Sequence, residues 1–231
     1  MFRHSLVTAL LAVALQMLAA SSATRAVEPR NGQRVAQLPV VETIVQNYAS
    51  PGSEISLVPV EGGGSEAIRS KRAFRIRTLK PLRSVWEVQL CDVTSAPVRR
   101  GQPALLGFWA RTVDVPGRPE GLGKVAVYFQ RASEPWDKSF LIKREVPRQW
   151  TRYQYPFRVH EMFGKAEAHI CLGFGFDPQT VEVTGVQVHT FASDVDLETL
   201  PRLPPENPPA ENSPAETPPT ATPAAESVSA P

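Results

Sequence analysis

Two neighbouring runs, ALLGFWAR (104–111) and KVAVYFQR (124–131), carry aromatic and planar polar side chains at strand spacing. Alternation puts Leu106, Phe108 and Ala110 on one face of the first run, and Leu105, Gly107, Trp109 and Arg111 on the other. In the second run, Val125, Val127 and Phe129 share a face, while Ala126, Tyr128 and Gln130 share the opposite one. With Phe108, Val127 and Val88 turned to a core, the outward set is Glu87, Gln89, Trp109, Arg111, Tyr128, Gln130 and His169. Flat rings stack on the apolar C–H faces of a sugar, and Arg, Gln and Glu side chains bracket its hydroxyls. Arg75 and Arg77 join the set if their strand lies in the same sheet. Trp136, in the loop ASEPWDKS, is placed to act as a platform on the rim.

Each of these residues also has a plain packing role open to it. Trp109 can lie buried under a loop, as Trp often does, and Trp86 and Trp150 read as core or strand-edge packing. Trp136 beside Pro135 can staple its own loop. Glu87 and Arg111 can pair across strands. His169 stands alone and reads as a hydrogen-bonded polar residue. Gln179 and Glu182 read as structural, placing the last strand.

Catalytic signatures are missing. The chain has no G-x-S-x-G, no H-E-x-x-H, and no His/Cys cluster at metal-ligand spacing. EGGGSE lacks the Lys and the following helix of a phosphate loop. A glycosidase would need two carboxylates converging on one cleft; Glu87, Glu161, Glu167 and Glu182 supply the residue type without a pattern. The formal charge of the 231 residues is +2 with scattered arginines, which gives no electrostatic case for nucleic acid. The expected protein is not an enzyme and needs no cofactor.

The elements that must position these side chains are short strands. ISLVPV (55–60), RAFRIRTL (72–79), WEVQL (86–90), the two runs above, 140–146, WTRYQYPF (150–157), AEAHICLGFGF (166–176) and VEVTGVQVHTF (181–191) alternate, and turn residues separate them. Pro59 suits an edge strand and Gly185 a bulge. No segment has a helical period. The fold predicted is all-β, an antiparallel β-sandwich of jelly-roll type over residues 53–192.

Outside that domain the composition changes. Residues 1–26 read as a signal peptide: Arg3 and His4, an apolar core from Leu6 to Ala20, then small residues. The apolar run is short for a membrane span, so the mature chain is expected to be a monomer in the periplasm, the cell envelope or the medium, without a span. Residues 27–52 read as an extension packed loosely on the domain. Residues 193–231 are rich in Pro and mildly acidic, and cannot bury enough apolar surface to offset chain entropy.

The order WEVQL, RRGQPALLGFWART, VAVYFQRASEPWDKSF, VPRQWTRYQYPFRV, LGFGFDPQTVEVTGVQV resembles the carbohydrate-binding-module-like domains of bacterial secreted glycoside hydrolases. It is most similar to the jelly roll preceding the catalytic barrel in some bacterial family 10 xylanases. The resemblance spans roughly residues 53–192 and implies a galactose-binding-like jelly roll that holds polysaccharide or another glycan. It also implies a structural calcium ion, for which the Asp residues form no obvious ligand set. The alternative is an envelope module that uses the same fold for structure or protein contacts, with Trp109 buried and the face filled by loops.

Cys91 and Cys171 leave two outcomes open. In an exported chain an even count favours pairing, and a bridge forms if WEVQLC and AHICLGF neighbour each other in one sheet. If they lie in different sheets, each is a small buried apolar residue.

Overall fold

The computed structural model describes residues 32–37, 46–49, 51–62 and 68–203. The expected signal peptide (1–26) and the tail beyond Leu203 lie outside the described residues. Eleven strands form in chain order: β1 (Gln33–Gln37), β2 (Gln46–Ala49), β3 (Ser53–Pro59), β4 (Arg72–Thr78), β5 (Val88–Val93), β6 (Pro103–Asp114), β7 (Gly123–Arg131), β8 (Lys138–Val146), β9 (Thr151–Arg158), β10 (Ala168–Gly173) and β11 (Gln179–Thr190).

They build two antiparallel sheets, one ordered β3-β4-β11-β6-β9 with β1 also beside β11, the other β2-β5-β10-β7-β8. The pairs β4·β11, β5·β10, β6·β9 and β7·β8 nest one inside the next, which is a rolled-up long hairpin and therefore a jelly roll. The period of two does the sorting. Phe74, Ile76, Leu106, Phe108, Tyr153, Val181 and Val183 of the first sheet face Leu90, Val125, Val127, Phe129, Ile170 and Leu172 of the second in one buried core. Phe108 and Tyr153 stack with ring centroids 4.7 Å apart.

Gly185 forms the expected bulge: its φ is +64°, and the β11·β6 register slips between Thr184 and Gln187. The bulge divides β11. Its first half pairs with β4, and its second half would leave an edge that β1 covers, register Gln33↔Thr190 to Gln37↔Gln187. Residues 33–37 are therefore part of the sandwich and not a loose extension, with Val35 and Ala36 in the core. The domain also runs past residue 192: Leu200 packs on Leu105 and Phe191, and Leu203 exchanges backbone hydrogen bonds with Gln154.

The expected strand at Trp86–Leu90 begins two residues late. Val85–Glu87 is a 3-10 turn, and Glu87 accepts a hydrogen bond from the Ser84 backbone N–H at 2.8 Å. Among the described residues no helix is long and apolar enough to cross a membrane.

Candidate functional site

The outer face of the second sheet is a grid fixed by strand register. His169 on β10 lies between Val93 on β5 and Gln130 on β7; Cys171 lies between Cys91 and Tyr128; Gly173 lies between Gln89 and Ala126. On β8, Lys138, Leu141 and Lys143 continue these three rows, opposite Gln130, Tyr128 and Ala126. Side chains at these positions point away from the core because their neighbours Leu90, Ile170, Leu172, Val127 and Phe129 fill it.

Cys91 and Cys171 are joined by a disulfide, and the bridge packs with Tyr128 as a small buried cluster of its own. The Tyr128 hydroxyl donates to Gln89 Oε1. Burial pushes the Tyr128 phenol well above its usual range, so it stays a donor. Beside it, Gln130 Nε2 and His169 Nε2 are 2.9 Å apart. His169 is only 4 % exposed. Burial, and then the charge of Lys138, lowers its pKa from 6.5 to about 4. The ring is thus neutral at neutral pH. The amide donates to Nε2, which puts the ring proton on Nδ1. Trp136 lies over this pair, its ring 6.1 Å from that of His169 and 17° from parallel.

These groups floor a cavity of about 670 Å³. Its walls are Trp86 with its turn, Trp136, Leu141, and the cations Arg83, Lys138 and Lys143. Two glycines let the Trp86 turn close in. A Cβ on Gly173 would stand 2.6 Å from the Val85 carbonyl oxygen, and one on Gly175 would clash with the Ser84 carbonyl. Trp86 is 58 % and Trp136 42 % exposed, so two indole faces stand open at the mouth. Open rings over a polar floor can stack on a ligand's apolar face and bond its hydroxyls.

The structure brings together Gln89, Tyr128, Gln130 and His169 of the expected set, and separates the other three. Trp109 and Arg111 lie on the outer face of the opposite sheet. Jelly-roll topology puts β6 between β11 and β9, whereas β7 lies between β10 and β8. There Trp109 is half-buried against Trp150, Ile68 and Ala73, with Arg152 over its ring at 5.6 Å. Arg111 donates to the fully buried Glu182 carboxylate at 2.7 Å and to the Glu61 carbonyl at 2.6 Å. Arg75 reaches the other oxygen of Glu182 through Nε at 2.8 Å. Glu182 is structural, as read from the sequence. Glu87 is spent on the Ser84 turn instead of facing the cavity.

Sequence reasoning missed Trp86, Arg83, Lys138, Leu141 and Lys143. Two signals were present. Ser84-Val-Trp-Glu87 has capping-box spacing, which marks a turn ahead of the strand. In β8, Leu141 and Lys143 alternate with Phe140 and Ile142, which pack on the core.

Calcium takes six or more oxygens, and among the described residues no group of three or more acidic side chains converges to supply part of the set that the resemblance implies. Among the described residues, the one group of three His, Cys or acidic side chains close enough to share an ion is Cys91, His169 and Cys171, and its sulfurs are bonded to each other.

No family model and no curated protein matches the sequence. Solved structures do match the fold. One is described as CBM4, 17 % identical, covering 53 % of this chain and 73 % of its own, with TM-score 0.43. Another is the CBM22-1 xylan-binding domain of Paenibacillus barcinonensis Xyn10C, 10 % identical, covering 71 % of this chain and 99 % of its own, with TM-score 0.44. A third is an arabinose-bound α-L-arabinofuranosidase, 9 % identical, covering 68 % of this chain but only 26 % of its own, with TM-score 0.49.

Proposed function

We propose that this chain is a non-catalytic glycan-binding module whose ligand lies along the outer face of β5, β10, β7 and β8. One observation carries the reading: Trp86 and Trp136 both stand exposed among the residues lining a cavity whose floor is Gln89, Tyr128, Gln130 and His169. Exposed indoles are costly to leave in water without a partner, and a sugar ring is a partner that uses both their faces and the polar floor. Among the described residues none that lines the cavity is a carboxylate, which speaks against glycoside hydrolysis there. The Cys91–Cys171 bridge favours an oxidising compartment, in keeping with secretion or residence in the cell envelope.

The envelope-module alternative called for a covered face with Trp109 buried. The first sheet has such a face, with Trp109 packed beside Trp150. On the second sheet Tyr128, Gln130 and His169 are buried too, but Trp86 and Trp136 stand exposed beside a cavity, and the proposed site lies there. Affinity electrophoresis in gels containing xylan, β-glucan, mannan or pectin tests the reading. Retardation by at least one polysaccharide is expected, and unchanged mobility in all of them would overturn it.

A further inference from the structure

We propose that the cavity selects an anionic glycan, namely a run of contiguous uronic acid units; this rests on the glycan-binding reading above. The charge inventory carries it. Arg83, Lys138 and Lys143 line the cavity, and among the described residues none of them has a carboxylate partner. Among the described residues Lys138 donates only to the Trp136 carbonyl, at 3.3 Å. Most nearby acids are engaged by other groups: Asp137 and Glu161 face Arg131, and Glu87 is bound to its own turn, while Glu145 shares the face of Lys143 one row further along β8, opposite Lys124.

A site for neutral sugars has no use for three uncompensated cations around a half-enclosed cavity. Their mutual repulsion is relieved by an anionic ligand, and a cleft lined by one sign of charge focuses its field on such a ligand. The excess is local, because the whole chain carries only +2. Register also bears on the ligand's form. Lys138 and Lys143 flank Leu141 on β8 and stand roughly 15 Å apart along the strand. That spacing lets each ammonium group meet its own carboxylate on successive units of an extended chain, while Trp86 and Trp136 stack on the intervening rings.

The experiment is calorimetric titration of the full chain at about 0.15 M salt, where non-specific attraction is screened beyond roughly 8 Å. The probes are tetragalacturonate, tetramannuronate, their methyl esters, monomeric galacturonate, xylotetraose and cellotetraose. At least one tetrauronate should bind tenfold or more tighter than its own ester and than the monomer. A Lys138→Met/Lys143→Met variant should lose that advantage yet keep its melting temperature. Equal or tighter binding of the esters or neutral tetramers would overturn the inference and leave the glycan reading standing. No binding of any probe, together with no retardation in any polysaccharide gel, would end both. Uronate binding indifferent to Trp136→Ala would mark plain charge adsorption and would also overturn the inference.

Discussion

Cys91 and Cys171 are register partners on β5 and β10, with Cα atoms 4.2 Å apart, and their disulfide packs against Tyr128 on the outer face of the second sheet. The bridge therefore fastens the two strands that bring Gln89 and His169 to the cavity. It spans 80 residues of sequence. Closing a loop of that size removes about 4.5 kcal/mol of unfolded-chain entropy at 25 °C. A Cys91→Ser/Cys171→Ser variant should lose most of this in urea unfolding, and the unreduced wild type should show no free thiol when unfolded. A double variant as stable as the wild type would contradict the account.

Glu182 is fully buried between Arg75, whose side chain is 36 % exposed, and Arg111, at 18 %. Removing one member of a buried ion pair costs about 3–5 kcal/mol, and the partial hydration of both arginines puts Glu182→Gln toward the lower end, at about 3 kcal/mol. Because the triad lies on the sheet opposite the cavity, the variant should bind glycan as the wild type does. Denaturant unfolding and a binding titration on the same sample check both halves.

The sandwich was legible in the sequence because period-two alternation reports directly on which side of a strand is buried. RAFRIRT shows it plainly, with Phe74 and Ile76 buried and Arg75 and Arg77 turned out, and Gly185 announced its bulge. Sheet membership was not legible. Alternation says that Trp109 and Tyr128 both point outward from the core, but a sandwich has two outsides, and only the long-range pairing of β6 with β9 and of β7 with β8 assigns each. Long-range pairing likewise decided the cysteines, whose strands β5 and β10 proved to be neighbours. Trp86 was lost for a local reason: WEVQL alternates like a strand, yet the Ser84–Glu87 capping interaction turns its first residues out of the ladder.

His169 gives the fold a pH signature. Its pKa is about 4 in the folded chain against 6.5 ordinarily, chiefly through burial and secondarily through Lys138. Between those values the unfolded chain binds a proton that the folded chain does not, so stability rises with pH there. It is lost as pH falls from about 6.5 toward 4, by about 3 kcal/mol, and levels off below for this group. Urea unfolding at pH 7.5 and 4.5 should show that loss in the wild type and a smaller one in His169→Gln. Equal losses in the two proteins would contradict the assignment.

The central claim is that the glycan face belongs to the second sheet, and one comparison of three variants tests it most directly. On a polysaccharide that retards the wild type, Trp86→Ala and Trp136→Ala should each weaken binding by roughly 1–3 kcal/mol, the worth of a lost aromatic platform. Both should keep the wild-type melting temperature, because these exposed rings add little to the core. Trp109→Ala should do the reverse. It removes packing against Trp150 and Arg152, so the melting temperature should fall while affinity holds. Affinity abolished by Trp109→Ala and untouched by the other two would place the site on the first sheet and contradict the account.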